Sequence, residues 1–191
     1  MKTLTIAAAA AASLMATSAL AQDGGLTRED IEAFIAPIGD EAEQAVASGD
    51  WEGIASWISE HVEDETPIAM AGYVMLSQGP TATFAVSMKG EDLQNFARMA
   101  SMGGPQGMGM GDAVEDYSLE TELKGFWQVP GDKASAEVAF YESGMIVPPE
   151  GAPEGARGGP FSSATVCALR MGRDDDDLTI EMASCEVKSM L

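Results

Sequence analysis

Apolar residues recur at helical spacing near the start of the chain. The first such stretch begins after Thr27, which together with Asp30 resembles a helix capping box, and its apolar positions are Ile31, Phe34, Ile35 and Ile38. Pro37 is expected to kink or end this helix, because proline lacks the backbone N–H of the helical ladder. Asp40 then restarts the helix and carries it to Ser48.

Two further helices are predicted. Gly49 is a stop signal and Asp50 a cap for the second helix, whose stripe contains Trp51, Ile54, Trp57, Ile58, His61 and Val62. The third helix opens at Gly90 and places Leu93, Phe96, Ala97 and Ala100 on one face.

Between and after the helices, runs of β-branched and apolar residues predict six strands, at 68–76, 81–88, 114–129, 133–143, 161–171 and 178–187. This order indicates an α+β fold, in which helices gather on one face of an antiparallel sheet. Two segments rich in glycine, near 101–111 and 148–160, lack periodicity and are expected to be flexible surface loops.

The last two strands form a predicted hairpin that contains both cysteines. Alternation pairs Leu169 with Met182 and leaves the acidic residues 174–177 as its loop, but this register sends Cys167 and Cys185 to opposite faces. A disulfide needs Cβ atoms about 4 Å apart, so the two arrangements conflict. We expect the disulfide to form and a β-bulge or register shift to accommodate it.

Residues 1–21 have the features of a cleavable signal peptide. A short basic start at Lys2 precedes an apolar stretch, and Ala19-Leu20-Ala21 is typical of a small-residue cleavage site. Removing it leaves a single domain of residues 22–191, large enough for a real core. We therefore expect a periplasmic protein, and an even count of two cysteines fits one disulfide in that oxidising compartment.

The chain is strongly acidic, with a formal net charge of −21. Such a charge repels phosphate backbones and anionic lipid, which argues against nucleic-acid binding. No stretch after the signal peptide is long and apolar enough to span a membrane. The remaining partners are a small-molecule ligand or another protein, with a second copy of this chain among the candidates.

Several local patterns occur together in this chain. They are Ala47–Trp51 leading into Ile54–Trp57, the acidic pair Asp64 and Glu65, Gly90–Leu93 at a helix start, Gly131–Ala134 before a strand, and Leu178–Ile180 after a polar turn. In this combination the chain resembles the NTF2-like (SnoaL-like) superfamily. The resemblance spans most of residues 22–191. It implies a strongly curved sheet wrapped around the helices as a cone, often with an apolar pocket inside. Members of this superfamily include isomerases, dehydratases, cyclases and non-catalytic binding or dimerising modules.

Aromatic and imidazole side chains are the candidates for lining such a pocket. They are Trp57, His61, Tyr73, Tyr117, Trp127 and Tyr141. Aromatic residues on strands are more often ordinary core, with their polar tips bonded at the rim. His61 is the only histidine, and with Asp64 it is the candidate for proton transfer in a cofactor-free isomerase or dehydratase. A structural histidine bonded to a carbonyl or to a nearby acid is the favoured interpretation.

Four methionines lie close together in the glycine-rich segment, at Met99, Met102, Met108 and Met110. Thioethers are soft ligands suited to Cu(I), so copper handling is a third hypothesis. Methionine is frequent throughout this chain, however, and such a segment can also be an adaptable cover over an apolar pocket. No other cofactor is expected, because the sequence lacks zinc spacing, a phosphate-binding glycine loop and a nucleophile elbow.

The sequence thus favours a non-catalytic periplasmic module that binds a small apolar or amphipathic ligand or a protein partner. The isomerase-type enzyme and the Cu(I)-binding protein are the alternatives.

Overall fold

The structure is a computed structural model that describes residues 25–75, 79–107, 114–148, 158–174 and 177–190. Within these residues the chain forms three helices and six strands. The helices are α1 (Arg28–Ser48), α2 (Glu52–His61) and α3 (Gly90–Gly107). The strands are β1 (Pro67–Met75), β2 (Ala82–Lys89), β3 (Val114–Val129), β4 (Lys133–Ile146), β5 (Gly159–Asp174) and β6 (Asp177–Met190). The predicted signal peptide, residues 1–21, lies outside the described part of the chain.

The six strands form one curved, open sheet in the order β2-β1-β6-β5-β4-β3. The helices lie on one face of the sheet and are spread from one edge to the other: α1 contacts β3, α2 contacts β6, and α3 contacts β2. The predicted α+β fold is confirmed. One detail differs from the expected antiparallel sheet, because β1 runs parallel to β6 while the other neighbours are antiparallel.

Helix α1 begins with the predicted capping box. The Thr27 hydroxyl accepts a hydrogen bond from the Asp30 amide at 3.2 Å, and the Asp30 carboxylate accepts one from the Thr27 amide at 2.8 Å. These two bonds satisfy N–H groups that have no partner within the helix. They also lower the pKa of Asp30, chiefly through the bond from the Thr27 backbone.

We expect Thr27→Ala to lower the free energy of unfolding by about 1 kcal/mol at neutral pH, because it removes the side-chain half of this box. The contribution of Asp30 is present above its unfolded pKa, since the carboxylate accepts the bonds, and it fades as the pH falls through the lowered folded value. Urea unfolding of wild type and variant between pH 7 and pH 3 measures both effects. The Thr27 hydroxyl also donates to Asp30 Oδ2 at 2.9 Å, and the variant loses this bond to the carboxylate, so part of the difference should disappear at low pH. A difference that does not shrink contradicts this assignment.

The expected break at Pro37 does not occur. Helix α1 continues through it to Ser48 and ends where Gly49 adopts a left-handed conformation with φ 73°. Proline removes one hydrogen bond, to the carbonyl of Ala33, and Ala33 is exposed so that water can satisfy that carbonyl. Burial of Phe34 and Ile35 before the proline keeps the helix on the sheet.

The predicted loop near 101–111 also begins later than expected. Helix α3 extends to Gly107, because glycine costs a helix about 1 kcal/mol without preventing it. Residues 108–113 lie outside the described chain. In the second expected loop, β5 already begins at Gly159, and residues 149–157 are not described.

The core lies between the helices and the facing side of the sheet. Alternate residues of β4 and β5 point inward, and Leu26 and Ile31 of the α1 region meet them with no exposed surface. The inward set of the two strands is Ala134, Ala136, Val138, Cys167, Leu169 and Met171. None of the helices in the described residues is both long and apolar enough to cross a bilayer.

The terminal hairpin resolves its conflict as predicted. Cys167 and Cys185 are directly opposite each other and form a disulfide. Leu169 therefore pairs with Ala183 rather than with the expected Met182, and a shift after Arg170 leaves Glu181 as an extra residue on β6. Because of this irregularity, the side chain of Ile180 points toward the core and that of Met182 points to the outer face. A one-residue slip is the only way to satisfy both the disulfide and the apolar pattern.

Candidate functional site

A cleft of about 520 Å³ lies on the outer face of the sheet, opposite the helices. Two neighbouring rows of side chains form it, and each row crosses five strands. The first row is Glu120, Tyr141, Ala164, Lys188 and Tyr73, each opposite the next on the adjacent strand. The second row is Ser118, Ser143, Ser162, Met190 and Met75.

The depth of the cleft follows from the sizes of these side chains. Ala164, Ser143 and Ser162 are small and form its floor, while Tyr141 rises on the β4 side. The opposite wall consists of Tyr73, Met75, Lys188 and Met190. Side chains alternate between the two faces of a strand, so the intervening residues Glu142 and Ser163 border the cleft with their backbone. The result is a groove whose walls are apolar apart from Lys188 and whose floor carries the hydroxyl groups of Ser143 and Ser162.

Two charged groups lie in the first row. Lys188 pairs with Glu186 at 3.1 Å, and its side chain is half-exposed. Glu120 lies directly opposite Tyr141 and has no ion-pair partner among the described residues. Lys124, also on β3, has its Nζ 5.3 Å from the centroid of the Tyr141 ring, within the range of a cation–π contact.

The structure divides the six predicted pocket residues between the two faces of the sheet. Tyr73 and Tyr141 line the outer cleft. Trp127 is on the same outer face but does not line the cleft; it is 57% exposed and its ring covers Gly125. The expectation that these three line the inside of the cone is wrong, because strand alternation places Ile68, Met70 and Phe140 inward instead.

The other three predicted residues lie on the helix face. Tyr117 donates a hydrogen bond to Glu142 Oε1 at 3.0 Å, and burial, followed by the charge of Glu142, raises its pKa. Trp57 and His61 pack with Phe34, and each pair of these three rings has centroids about 5 Å apart. These residues therefore form part of the packing between helices and sheet.

His61 has the structural partner that the sequence favoured. Its Nδ1 lies 2.8 Å from the carbonyl oxygen of Leu178. A carbonyl oxygen only accepts hydrogen bonds, so Nδ1 carries the hydrogen. The Asp64 side chain is exposed in the turn after α2, and its backbone carbonyl accepts the amide of Glu91. Neither residue lines the outer cleft, and their role in proton transfer stays a prediction.

Only part of the methionine cluster is described. Met99 lies on α3 and is 63% exposed. Met102 belongs to the same helix, whereas Met108 and Met110 lie outside the described residues. Copper binding by this segment stays a prediction.

Sequence reasoning missed most of the cleft, including Lys188, Glu120 and the two methionines Met75 and Met190. Alternation within each strand was sufficient to place these side chains opposite the core. What it did not supply was the strand order, because β1 meets β6 through a parallel pairing across more than a hundred residues. The small residues at Ser143, Ser162 and Ala164 were the available signal for a depression.

No protein-family model matches the sequence, and no curated protein is similar to it. Solved structures similar to this chain include an NTF-2-like protein of unknown function from Shewanella oneidensis MR-1. It is 12% identical, the match covers 83% of this chain and 97% of that one, and the TM-score is 0.42. Another is an NTF2-like protein with a cystatin-like fold from Novosphingobium aromaticivorans, 20% identical over 97% and 90% of the two chains, with a TM-score of 0.38.

A third is a ketosteroid isomerase-like protein from Erwinia carotovora atroseptica SCRI1043. It is 11% identical, with 78% of this chain and 92% of that one covered and a TM-score of 0.36. The structure neighbours are therefore NTF2-like and ketosteroid isomerase-like proteins, the group that the sequence resembles.

Proposed function

We propose that this protein is a non-catalytic binding module, exported to the periplasm, that holds a small amphipathic ligand in the outer cleft. The observation that carries the proposal is the cleft itself, built by two adjacent rows of side chains. Its volume of about 520 Å³ falls within the usual range of small-molecule sites. The two tyrosines and two methionines of its walls supply apolar contact area, and methionine adapts to irregular ligands.

The charges select the polar part of the ligand. Lys188 is already neutralised by Glu186, whereas Glu120 has no ion-pair partner within the part of the chain that the structure describes. Such a carboxylate favours a cationic group, and the net charge of −21 repels anions at long range. We therefore expect a neutral or cationic amphiphile.

The disulfide agrees with export, because such bonds persist in oxidising compartments. The proposed cleft needs no metal and no titrating base, which is why a binding role is favoured over the isomerase-type alternative. The hydroxyl groups on the floor orient a ligand by hydrogen bonds, since each donates or accepts according to its partner.

Isothermal titration calorimetry with three amphiphiles of equal chain length tests this proposal. We expect octyltrimethylammonium and octyl glucoside to bind, and octyl sulfate to bind about tenfold more weakly, a difference of about 1.4 kcal/mol. Salt near 0.15 M keeps long-range repulsion small, so the selectivity reports the site. Absence of binding by all three contradicts the proposal.

A matched pair of variants locates the ligand. Ala164→Phe fills the centre of the floor, and we expect it to weaken binding by about tenfold or more. Ala168→Phe makes the same change on the same strand and face but outside the cleft, so binding should be unchanged. Phenylalanine suits an exposed strand, so both variants should fold. Equal affinities for the two variants would place the ligand elsewhere.

A further inference from the structure

The two edges of the sheet differ in how they are protected against pairing with another strand. An edge strand presents unpaired N–H and C=O groups, and proteins commonly shield it with charges, bulges or a covering segment. β3 forms one edge and has such features. Its pairing with β4 shifts twice, at Glu115/Ser118 and at Leu123/Gly125, and Asp116 has a positive φ of 51°.

Charge adds to the protection of β3, which carries Glu115, Asp116, Glu120, Glu122 and Lys124. The opposite edge, β2, has neither feature. It pairs with β1 in continuous register from Ala82 to Lys89 and contains no charged residue before Lys89. No strand among the described residues pairs with its other side. All of β2 except Met88 is exposed.

Apolar side chains accompany this open edge on the helix face. Phe84 is 37% exposed and Val86 43% exposed, and both point to that face because they pair with Gly72 and Met70. They are large apolar groups left in water beside unpaired backbone groups. Such a combination is typical of a surface that another chain covers.

Helix α3 extends the apolar surface. Gln94 and Arg98 face α2, where they line a groove with Glu52 and Ser59. At 3.6 residues per turn, Phe96 lies about 160–200° around the helix from these two positions. α3 is the helix nearest β2, so Phe96, 55% exposed, is on its side away from α2, toward the open edge.

We infer that β2 is the interface of a homodimer, in which two copies pair their β2 strands antiparallel about a two-fold axis. The occupant is a second copy: two chains with a net charge of −21 repel each other, and β2, uncharged before Lys89, lets them meet without placing like charges in contact. The two-fold axis makes one strand complementary to itself.

The apolar pattern fixes the register. Residues directly opposite in an antiparallel pair share a face, so Phe84 of each copy lies opposite Val86 of the other, and Ala85 lies opposite Ala85. The two helix faces remain on the same side, and Phe84, Val86 and Phe96 of both copies then cover one another. Eight strand residues alone bury less than the roughly 800 Å² per partner of a standard interface, so these side chains are needed.

Analytical ultracentrifugation of the purified protein tests the pairing. We expect wild type to sediment as a dimer, and Ala85→Lys to weaken dimerisation about tenfold or more, because it places two like charges opposite each other on the axis. Ala168→Lys, an exposed position in the middle of the same outer face, should leave the dimer intact. A wild type that is monomeric at the highest soluble concentration overturns the inference, as does a dimer that survives Ala85→Lys.

Cysteine cross-linking provides a second test that does not depend on the fold of the lysine variant. Opposite Cα atoms in an antiparallel pair are about 4.5–5.5 Å apart, which a disulfide spans. Under mild oxidation, Ala85→Cys should form covalent dimers. Ala71→Cys, its exposed neighbour on β1, should not, because it lies one strand from the axis. Equal cross-linking of the two overturns the inference.

The dimer and the ligand site are separable, since the cleft uses five strands and none of its lining residues is on β2. Failure of one set of experiments therefore leaves the other proposal standing.

Discussion

Replacing Ile31 with alanine is expected to lower the free energy of unfolding by about 2–5 kcal/mol. Ile31 has no exposed surface and belongs to the core cluster between α1 and the sheet. Truncation removes buried methyl and methylene groups and leaves a cavity, because rigid strands beneath it relax only partly. Urea unfolding followed by tryptophan fluorescence and by circular dichroism measures the change.

The matched control is Ile38→Ala in the same helix. Ile38 packs against the core but is only partly buried, so its loss should cost about 1 kcal/mol. Helix propensity changes equally in the two variants and cancels in the comparison. If the two substitutions cost the same, Ile31 is not enclosed as the structure describes.

Loss of the Cys167–Cys185 bond is expected to lower stability by about 3 kcal/mol. The bond joins residues 18 apart, and cross-linking reduces the freedom of the unfolded chain. The double variant Cys167→Ala/Cys185→Ala should show a melting temperature about 6–12 °C lower than wild type. The bond also joins the central strands β5 and β6, so its loss reaches the middle of the sheet.

Adding a thiol reductant separates the bond from the side-chain packing. Reduced wild type should approach the stability of the double variant, whereas the double variant itself should not respond. The double variant also loses a smaller amount of stability through packing, in addition to the loss of the bond, because Cys167 is buried and alanine lacks its sulfur. Two reactive thiols in protein purified without reductant would refute the bond and remove the support that it gives to the expected location.

Local sequence signals predicted the elements well where hydrogen bonding and burial are local. The capping box at Thr27 and the left-handed stop at Gly49 are both present. The helix does not end at Pro37, one of the two outcomes expected there, because the packing of α1 on the sheet outweighs the loss of a hydrogen bond. A proline costs one hydrogen bond at an exposed position, while the buried residues on either side remain attached to the core.

The candidate site was predicted only in part. Tyr73 and Tyr141 were named from their aromatic character and do line the cleft, but they do so on the face opposite to the one expected. Aromatic type does not reveal which face is the core. The alternation of side chains along each strand does reveal the core face, and here alanines, a glycine and a valine occupy many inward positions. On β4 the inward residues Ala134, Ala136 and Val138 are small and have almost no exposed surface.

The amino-acid sequence by itself determined the helices, the strands, the strong negative charge and the disulfide with its compensating bulge. These depend on periodicity, on turn residues and on a hairpin whose partners are close in the chain. The tertiary structure alone decided that β1 lies beside β6, that two rows of side chains meet across five strands, and that β2 is the end strand of the sheet formed by the described residues. Those features arise from contacts between residues far apart in sequence, and no local pattern encodes which strands become neighbours.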